Sequence, residues 1–205
     1  MKNLINLKSI LLYTSCLAGT LIFATSCSEN KKMDSKEIAE KENIEKLADN
    51  EETIVVIDND NGTKFLMDVA ELQLEEISLG KLAQQKGTSA HVKEMGKMME
   101  TDHSKSFTEL SALAQSKSVS IPTSVTDDSK KAYTSLEEKA GNEFDKAYSD
   151  MMVKHHEDAI KLFEKASTDS EDTEIKTWAT NKLPGLKTHL DHAKACKEKS
   201  DKLTT

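Results

Sequence analysis

Hydrophobic residues recur at intervals of three or four positions along most of the chain after Gly62. This spacing is typical of amphipathic helices. Three polar segments interrupt it, namely KGTSA, SVSIPTSVTDDS and STDSEDT. The remaining segments predict four long helices and one additional short helix, over residues 64–85, 89–116, 143–167 and 171–197 for the long helices and 129–140 for the short one.

The connections between these helices indicate how the helices are arranged. Two of the three connections are short, so we expect the helices that they join to be antiparallel neighbours. The third connection contains Pro122 and the short helix. Aromatic residues make up only 4% of the chain, and no alternating run of β-branched residues favours a sheet. The pattern predicts an all-α fold, an up-down four-helix bundle with a short extra helix in the central connection.

The N-terminal residues follow a different pattern, which predicts an export signal over residues 1–26. Lys2 and Lys8 precede an apolar run that ends in small residues before Cys27. The stretch LIFATSC looks like a bacterial lipoprotein processing site, which would make Cys27 the lipidated first residue of the mature chain. Because Ser28 rather than Asp follows, the usual sorting rule predicts a lipid-anchored protein of the cell envelope. We expect it in the outer membrane, facing the periplasm, with the lipid as its membrane contact.

Residues 27–62 are charged and contain no aromatic side chain, which predicts a flexible acidic tether. Residues 35–48 have helical character and residues 53–57 have strand character, but neither segment has an evident partner. We therefore expect a spacer that leads into a ferritin-like four-helix domain over residues 63–198. A disordered tail is expected over residues 199–205.

Charge and cysteine content narrow the functional classes. Loss of residues 1–26 removes two Lys and no acid, so the 28 basic and 36 acidic residues become 26 and 36, a net charge of -10. A chain this acidic has no basic stripe for phosphates, so nucleic acid is not an expected partner. Cys16 would leave with the signal and Cys27 would carry lipid, so Cys196 remains alone. No internal disulfide is expected, and the core or a metal must hold the fold.

Polar residues interrupt the apolar stripe of each long helix when positions are projected at about 100° per residue. Glu76 lies in the middle of the first stripe, His103 near the centre of the second and His189 on the fourth. In the third helix His155 and His156 lie on opposite shoulders of the stripe. Periodicity alone does not choose between these two. At about 1.5 Å per residue, one inward group from each helix falls near the middle of the bundle.

A carboxylate in the core needs a partner, because an unpaired buried charge is strongly destabilising. One hypothesis is a metal-free polar network in which Lys182 or a histidine pairs with Glu76. The other is a metal site, because one carboxylate and three imidazoles are ligands that Zn, Fe, Mn or Cu accept. A lone histidine on an apolar face is usually a satisfied core residue. The convergence of four groups is what favours a site.

Other features carry weaker signals. Glu100 and His103 have the i, i+3 spacing of di-iron carboxylate bundles, but helices three and four lack a matching pair, so one metal or none fits better than two. Cys196 is interpreted as an incidental thiol. The chain contains no Ser/His/Asp arrangement and no phosphate-binding loop, so we predict no catalytic site. Helix-spaced methionines are more often core filler than Cu(I) ligands, and here they are Met95, Met98, Met99, Met151 and Met152.

Four blocks of the sequence resemble a known family in the same order. They are EISLGKLAQQK, MMETDHSKSFTELSALAQSKSVSIP, FDKAYSDMMVKHHEDAIKLFEKA and LPGLKTHLDHAKA. They are similar to the bacterial ferritin-like family catalogued as domain of unknown function 4142, whose members are often labelled putative outer membrane proteins. The resemblance covers about residues 65–196. It implies a four-helix ferritin-like fold in an exported protein, without an established activity.

The resemblance also selects site residues. The family's recurring acid falls on Glu76, and its histidines fall on His103, His156 and His189. These are the residues on the apolar faces, and together they form the predicted metal site. At His155 the family commonly has an acid, so we predict that His155 is a bystander that titrates with solvent.

The segment MMVKHHEDAI also looks like a second small exported family with a metal-handling HH helix, but its surrounding blocks fit less well. We therefore expect a lipid-anchored envelope protein of unknown activity with a buried Glu/His cluster that holds a transition metal. The alternative is a metal-free structural or interaction protein of the envelope, related to stress. An oxidase or peroxidase would need a redox metal with an open coordination position.

Overall fold

The computed structural model of the protein describes residues 32–48 and 61–202. These residues are folded into six α-helices without any β-strand, which confirms the predicted all-α class. Their bounds are α1 Ser35–Ala48, α2 Asn61–Lys86, α3 Ala90–Ser116, α4 Asp127–Glu137, α5 Gly141–Asp169 and α6 Thr173–Lys202. Helices α2, α3, α5 and α6 correspond to the four long helices predicted from hydrophobic spacing, and α4 to the short one.

The export signal, Cys27 and the strand-like residues 53–57 lie outside the described residues. None of the helices in the described part of the chain combines the length and hydrophobicity that a membrane span requires.

Helices α2 and α3 form a closely packed antiparallel pair. A Cβ atom added at Gly80 would lie 2.6 Å from the carbonyl oxygen of Gly96, and the reverse distance is also 2.6 Å. Only glycine permits this approach of the two backbones. Further from the turn, the Gln73 side chain donates a hydrogen bond of 3.0 Å to Ser106. Residues that come earlier in α2 therefore contact residues that come later in α3.

Helices α5 and α6 form a second antiparallel pair. Lys194 of α6 lies 3.5 Å from Glu157 of α5, and Lys187 lies 3.3 Å from Glu164. Such exposed ion pairs each contribute at most about 1 kcal/mol, so they report the register of the helices more than they stabilise it. Pro184 lies inside α6, which continues through it as one helix to Lys202. The tail predicted over residues 199–205 is thus wrong for residues 199–202, because Ser200 is buried at the end of α6.

Two apolar clusters fill the interior. One contains Phe65, Leu110, Phe163 and Ile175, and the other contains Leu79, Met99, Tyr148 and Ala193. One group of buried polar residues, with members from all four long helices, lies between the segments that form these clusters. We call them the central polar layer: Gln73 and Glu76 of α2, His103 and Ser106 of α3, His156 of α5 and His189 of α6.

Helix α1 corrects the tether prediction for residues 35–48. The Asn43 side chain donates a 2.8 Å hydrogen bond to the Ser120 carbonyl and accepts one of 2.7 Å from the Ser120 amide. Lys36 pairs with Glu71 of α2 at 2.7 Å, and Ala39 is buried. These partners lie far away in the sequence, so the local pattern of α1 gave no sign of them.

Candidate functional site

Three histidines from three different helices meet in the central polar layer. The ring centroids of His103 and His156 lie 5.6 Å apart, those of His103 and His189 5.4 Å, and those of His156 and His189 5.3 Å. One ring nitrogen from each lies within 4.8 Å of the other two. All three side chains are buried. The structure therefore brings together three of the four residues predicted from the sequence; Glu76 is not in this set of ligand atoms.

Each of these rings is oriented by an oxygen acceptor outside the cluster. His103 Nδ1 lies 2.6 Å from the amide oxygen of Gln73, and His156 Nδ1 lies 2.9 Å from the carbonyl oxygen of Met152. His189 Nε2 lies 2.9 Å from a carboxylate oxygen of Asp102. Because each partner is an acceptor, the facing ring nitrogen must carry the proton. The opposite nitrogen of each neutral ring then keeps its lone pair.

Those opposite nitrogens have no hydrogen-bond partner within the described part of the chain. They are Nε2 of His103, Nε2 of His156 and Nδ1 of His189, and Oε2 of Glu76 is also without one. A buried polar atom left unsatisfied costs about 1–3 kcal/mol. Four such atoms in one layer are unusual in a folded protein and indicate a place where another group binds.

Glu76 is completely buried and pairs with a residue that the sequence analysis set aside. Its Oε1 accepts a 2.9 Å hydrogen bond from His155 Nδ1, and His155 Nε2 lies 3.9 Å from Glu75. The prediction that His155 is a bystander that titrates with solvent is wrong. Neighbouring residues on a helix diverge by about 100°, so His156 can face the other two imidazoles while His155 faces α2.

Lys182, the other partner considered for Glu76, does not reach it. Its ammonium pairs with Glu109 and lies 5.5 Å from the centre of the Trp178 ring. Glu100 likewise points away from the cluster, since its carboxylate accepts a 2.7 Å hydrogen bond from Gln84. A long side chain near the edge of an apolar stripe can keep its charged end outside the core. This geometry gives no support to a Glu100–His103 metal-binding pair.

Burial and charge set the protonation states in the layer. Burial lowers the pKa of His103 to about 3, and the opposing charge of Glu76 does not compensate. Burial also lowers the pKa of His189, against the effect of Asp102. Burial would raise the pKa of Glu76, but the hydrogen bond from His155 and the nearby histidines lower it to about 2. Burial thus favours the uncharged imidazoles of His103 and His189, which lie beside the ionised carboxylate of Glu76.

His155 has the opposite tendency. Burial would lower its pKa, but the hydrogen bond and charge of Glu76, together with the charge of Glu75, raise it above the ordinary value of 6.5. The Glu76–His155 contact therefore favours the protonated form of His155, on the α5 side.

A surface pocket of about 220 Å³ between α3 and α6 leads to the cluster. His103 and His189 line it, and Lys182 and Glu109 are among its other lining residues. Asp102, which orients His189, also lines it and has a half-exposed side chain. The site therefore has a route to solvent.

The residues that orient the histidines are not among those predicted from the sequence. Gln73 carried a detectable signal, because it is a polar residue three positions before Glu76 on the same face of α2. Asp102 gave no such signal, since it immediately precedes His103 on the outward side and becomes relevant only through α6.

Comparison with known proteins supports the resemblance. The model of a family described as "Domain of unknown function (DUF4142)" matches residues 57–196, which is more than half of the chain. The chain belongs to this family. The matched region contains Glu76 and all three clustered histidines. No curated protein and no solved structure matches the chain.

Proposed function

We propose that this member of the DUF4142 family is a metal-binding protein. His103, His156 and His189 would hold one transition-metal ion, and Glu76 would supply the fourth donor. The observation that carries the proposal is the hydrogen-bonding pattern of the three rings. Each donates its proton to an oxygen outside the cluster and keeps the other nitrogen, buried and without a partner, in the polar layer.

This pattern matches the outer-shell arrangement of known metal sites. A metal-bound histidine almost always donates its second N–H to a carboxylate, a carbonyl or water, which fixes the tautomer. Here the acceptors are a side-chain amide, a backbone carbonyl and a carboxylate. Imidazole nitrogens that bind Zn at about 2.0–2.1 Å are roughly 3.3 Å apart in a tetrahedral site. Nitrogens that start within 4.8 Å of one another need only small ring movements to reach this spacing.

Glu76 supplies the negative charge that a divalent ion requires. Its Oε1 is held by His155, while Oε2 is buried without a hydrogen-bond partner. A modest rotation of the side chain would present Oε2 to the ion. Three imidazoles and one carboxylate suit Zn, Fe, Mn or Cu. The pocket between α3 and α6 would admit the ion from solvent.

The proposal also includes a ferritin-like fold and a location in the cell envelope. Two antiparallel helix pairs that share a polar layer are what a ferritin-like four-helix bundle would contain, and bundle cores commonly build metal sites from facing helices. The sequence alone supports an export signal, lipidation of Cys27 and anchoring in the outer membrane with the domain facing the periplasm.

One observation favours a second candidate, a metal-free structural or interaction protein of the envelope. His155 gives the buried carboxylate of Glu76 a hydrogen-bond donor without any metal. This contact satisfies only one carboxylate oxygen, however, and none of the three unpartnered imidazole nitrogens. The metal proposal accounts for all four atoms.

Metal analysis of the protein purified without a histidine tag separates the two candidates. The proposal predicts about one bound ion per chain, and a visible spectrum of low-coordinate Co(II) after exchange into Co(II). His103→Ala and His156→Ala should abolish both signals. His192→Asn is the matched control, because His192 is an exposed residue outside the cluster, and it should retain both. A wild-type protein that is folded but binds neither Zn nor Co(II) would contradict the proposal.

A further inference from the structure

A second pocket, of about 180 Å³, lies between the beginning of α3 and the end of α6. Its lining combines sulfur and imidazole side chains with the charged residues Glu94 and Lys199. His91, Met95 and Met98 line it from α3, and His192 and Cys196 line it from α6. We call it the sulfur pocket.

Helical spacing explains why these side chains meet. Positions 91, 95 and 98 are related by i, i+4 and i+7, and positions 192 and 196 by i, i+4, so each set occupies one face of its helix. The helices run antiparallel: His91 lies 3.4 Å from Ser200 near one end, whereas Lys182 pairs with Glu109 near the other. The first turns of α3 therefore face the last turns of α6.

The sulfur pocket is separate from the histidine cluster. Met95 precedes His103 by eight residues, a rise of about 12 Å along α3. The donors also differ, because the cluster offers nitrogen and oxygen, whereas the sulfur pocket combines two thioethers and a thiol with two imidazoles. Thioether and thiol ligands select soft ions such as Cu(I), while carboxylate and carbonyl oxygens suit harder ones.

The exposure of the lining residues and the protonation of the thiol are suitable for a soft ion. Cys196 is a buried free cysteine at the α6 side of the pocket, while His192 is exposed and Met98 is half-buried. Burial raises the pKa of the Cys196 thiol to about 11, so at neutral pH it keeps its proton. A thioether carries no proton, and an imidazole binds a metal ion through an unprotonated ring nitrogen. They form a set in which exposed residues can capture an ion and buried sulfur can retain it.

We propose that the sulfur pocket is a second metal site, which binds one soft monovalent cation, Cu(I), through the thioethers of Met95 and Met98 and the imidazoles of His91 and His192, beside the Cys196 thiol. This site is independent of the ion proposed for the histidine cluster.

Anaerobic competition for Cu(I) with a chromophoric chelator tests the proposal on the full chain. Wild-type protein loaded with Zn at the cluster should take up one equivalent of Cu(I) without releasing Zn. Met98→Leu and His192→Gln should each raise the Kd for Cu(I) by on the order of tenfold or more, because each removes a ligand. Met151→Leu is the matched control, since Met151 is a half-buried methionine of the same apolar cluster that does not line the pocket. It should leave the Kd unchanged.

The two metal proposals fail in different ways. His156→Ala should abolish Zn binding and retain Cu(I), while His192→Gln should retain Zn and lose Cu(I). Cu(I) binding that survives both Met98→Leu and His192→Gln but disappears in Cys196→Ala would show coordination by the thiol alone and overturn the proposal. Absence of Cu(I) uptake by folded wild-type protein would also overturn it. Neither result would affect the histidine cluster.

Discussion

Asp145 and Glu76 are both fully buried carboxylates, but their hydrogen-bonding environments are opposite. Asp145 Oδ1 accepts from the Thr88 amide at 2.8 Å, and Oδ2 accepts from the Thr88 hydroxyl at 2.7 Å and from the Ser89 amide and hydroxyl at 2.9 and 2.6 Å. Glu76 has one hydrogen bond, from His155 to Oε1, while Oε2 has none among the described residues.

The difference separates a structural role from a binding role. Every donor to Asp145 comes from the turn between α2 and α3 and the start of α3, so this carboxylate ties the beginning of α5 to that turn. Its charge is also favourable near the N-terminus of α3. Glu76 has a carboxylate oxygen without a hydrogen-bond partner. It lies in a layer with three imidazoles, each of which has one ring nitrogen without a partner. A buried charge that is fully satisfied stabilises the fold, whereas a half-satisfied one indicates a missing partner.

The largest expected effect is on stability, from Asp145→Ala. This change leaves the amides of Thr88 and Ser89 without their acceptor, and we expect it to lower the free energy of unfolding by about 3 kcal/mol or more. Urea denaturation of the metal-free protein measures this value. Asp128→Ala, at an exposed carboxylate in α4, is the control and should change stability by no more than about 0.5 kcal/mol. A small effect at Asp145 would remove the contrast between the two carboxylates.

Glu76→Gln should have the reverse profile. The amide is nearly isosteric and removes a buried charge, so we expect the stability of the metal-free protein to change by about 1 kcal/mol or less. The Kd for Zn or Co(II) should rise by on the order of tenfold or more, because the ion loses its anionic donor. Competition with a chelator measures the Kd and urea denaturation the stability. If the variant is strongly destabilised and its metal affinity is unchanged, Glu76 has a structural role, as Asp145 does, and not a binding role.

A further expected effect is a pH dependence of stability that belongs to the polar layer. In the metal-free protein the pKa of His103 is lowered from 6.5 to about 3, so between these values the unfolded chain binds a proton that the folded protein does not. The free energy of unfolding should therefore fall as the pH is lowered from 6.5, by at most about 1.4 kcal/mol per pH unit for this group.

Two variants test whether His103 causes this dependence of stability on pH. His103→Asn should reduce the slope between pH 6.5 and about pH 5, as followed by urea denaturation at several pH values. Asp145→Asn should leave the slope in this range unchanged, because the lowered pKa of Asp145 confines its titration to below its ordinary value of 3.8. Equal slopes in wild type and His103→Asn would show that His103 does not titrate as its burial requires.

Much of the fold was predictable because helix formation and amphipathicity are local. The spacing of apolar residues located α2, α3, α5 and α6, with bounds that differ from the structure by a few residues at most ends. Residues 35–48 were not recognised as a packed helix, because Asn43 and Lys36 bind residues of the α3–α4 connection and of α2. Asp145 was missed as well, although it is a polar residue on the apolar face of α5, beside Phe144 and Tyr148.

The order of residues alone predicts which side chains face inward. A helical repeat of about 3.6 residues places Glu76, His103 and His189 on apolar faces whatever the helices pack against. The family resemblance added His156. These properties depend on one helix at a time, so they can be read from the order of residues.

Which of the inward groups are partners depends on how the helices pack. The three imidazoles meet with their protons directed outward because Gln73, Asp102 and the Met152 carbonyl lie at particular heights on particular helices. The register of the helices also places His155 within hydrogen-bond distance of Glu76 Oε1 and leaves Glu76 Oε2 without a partner among the described residues. Hydrogen bonds act over about 3 Å, which is far shorter than the uncertainty in how two helices are aligned when only their sequences are known. A candidate site can thus be proposed from periodicity, but its protonation and its unsatisfied atoms follow from packing.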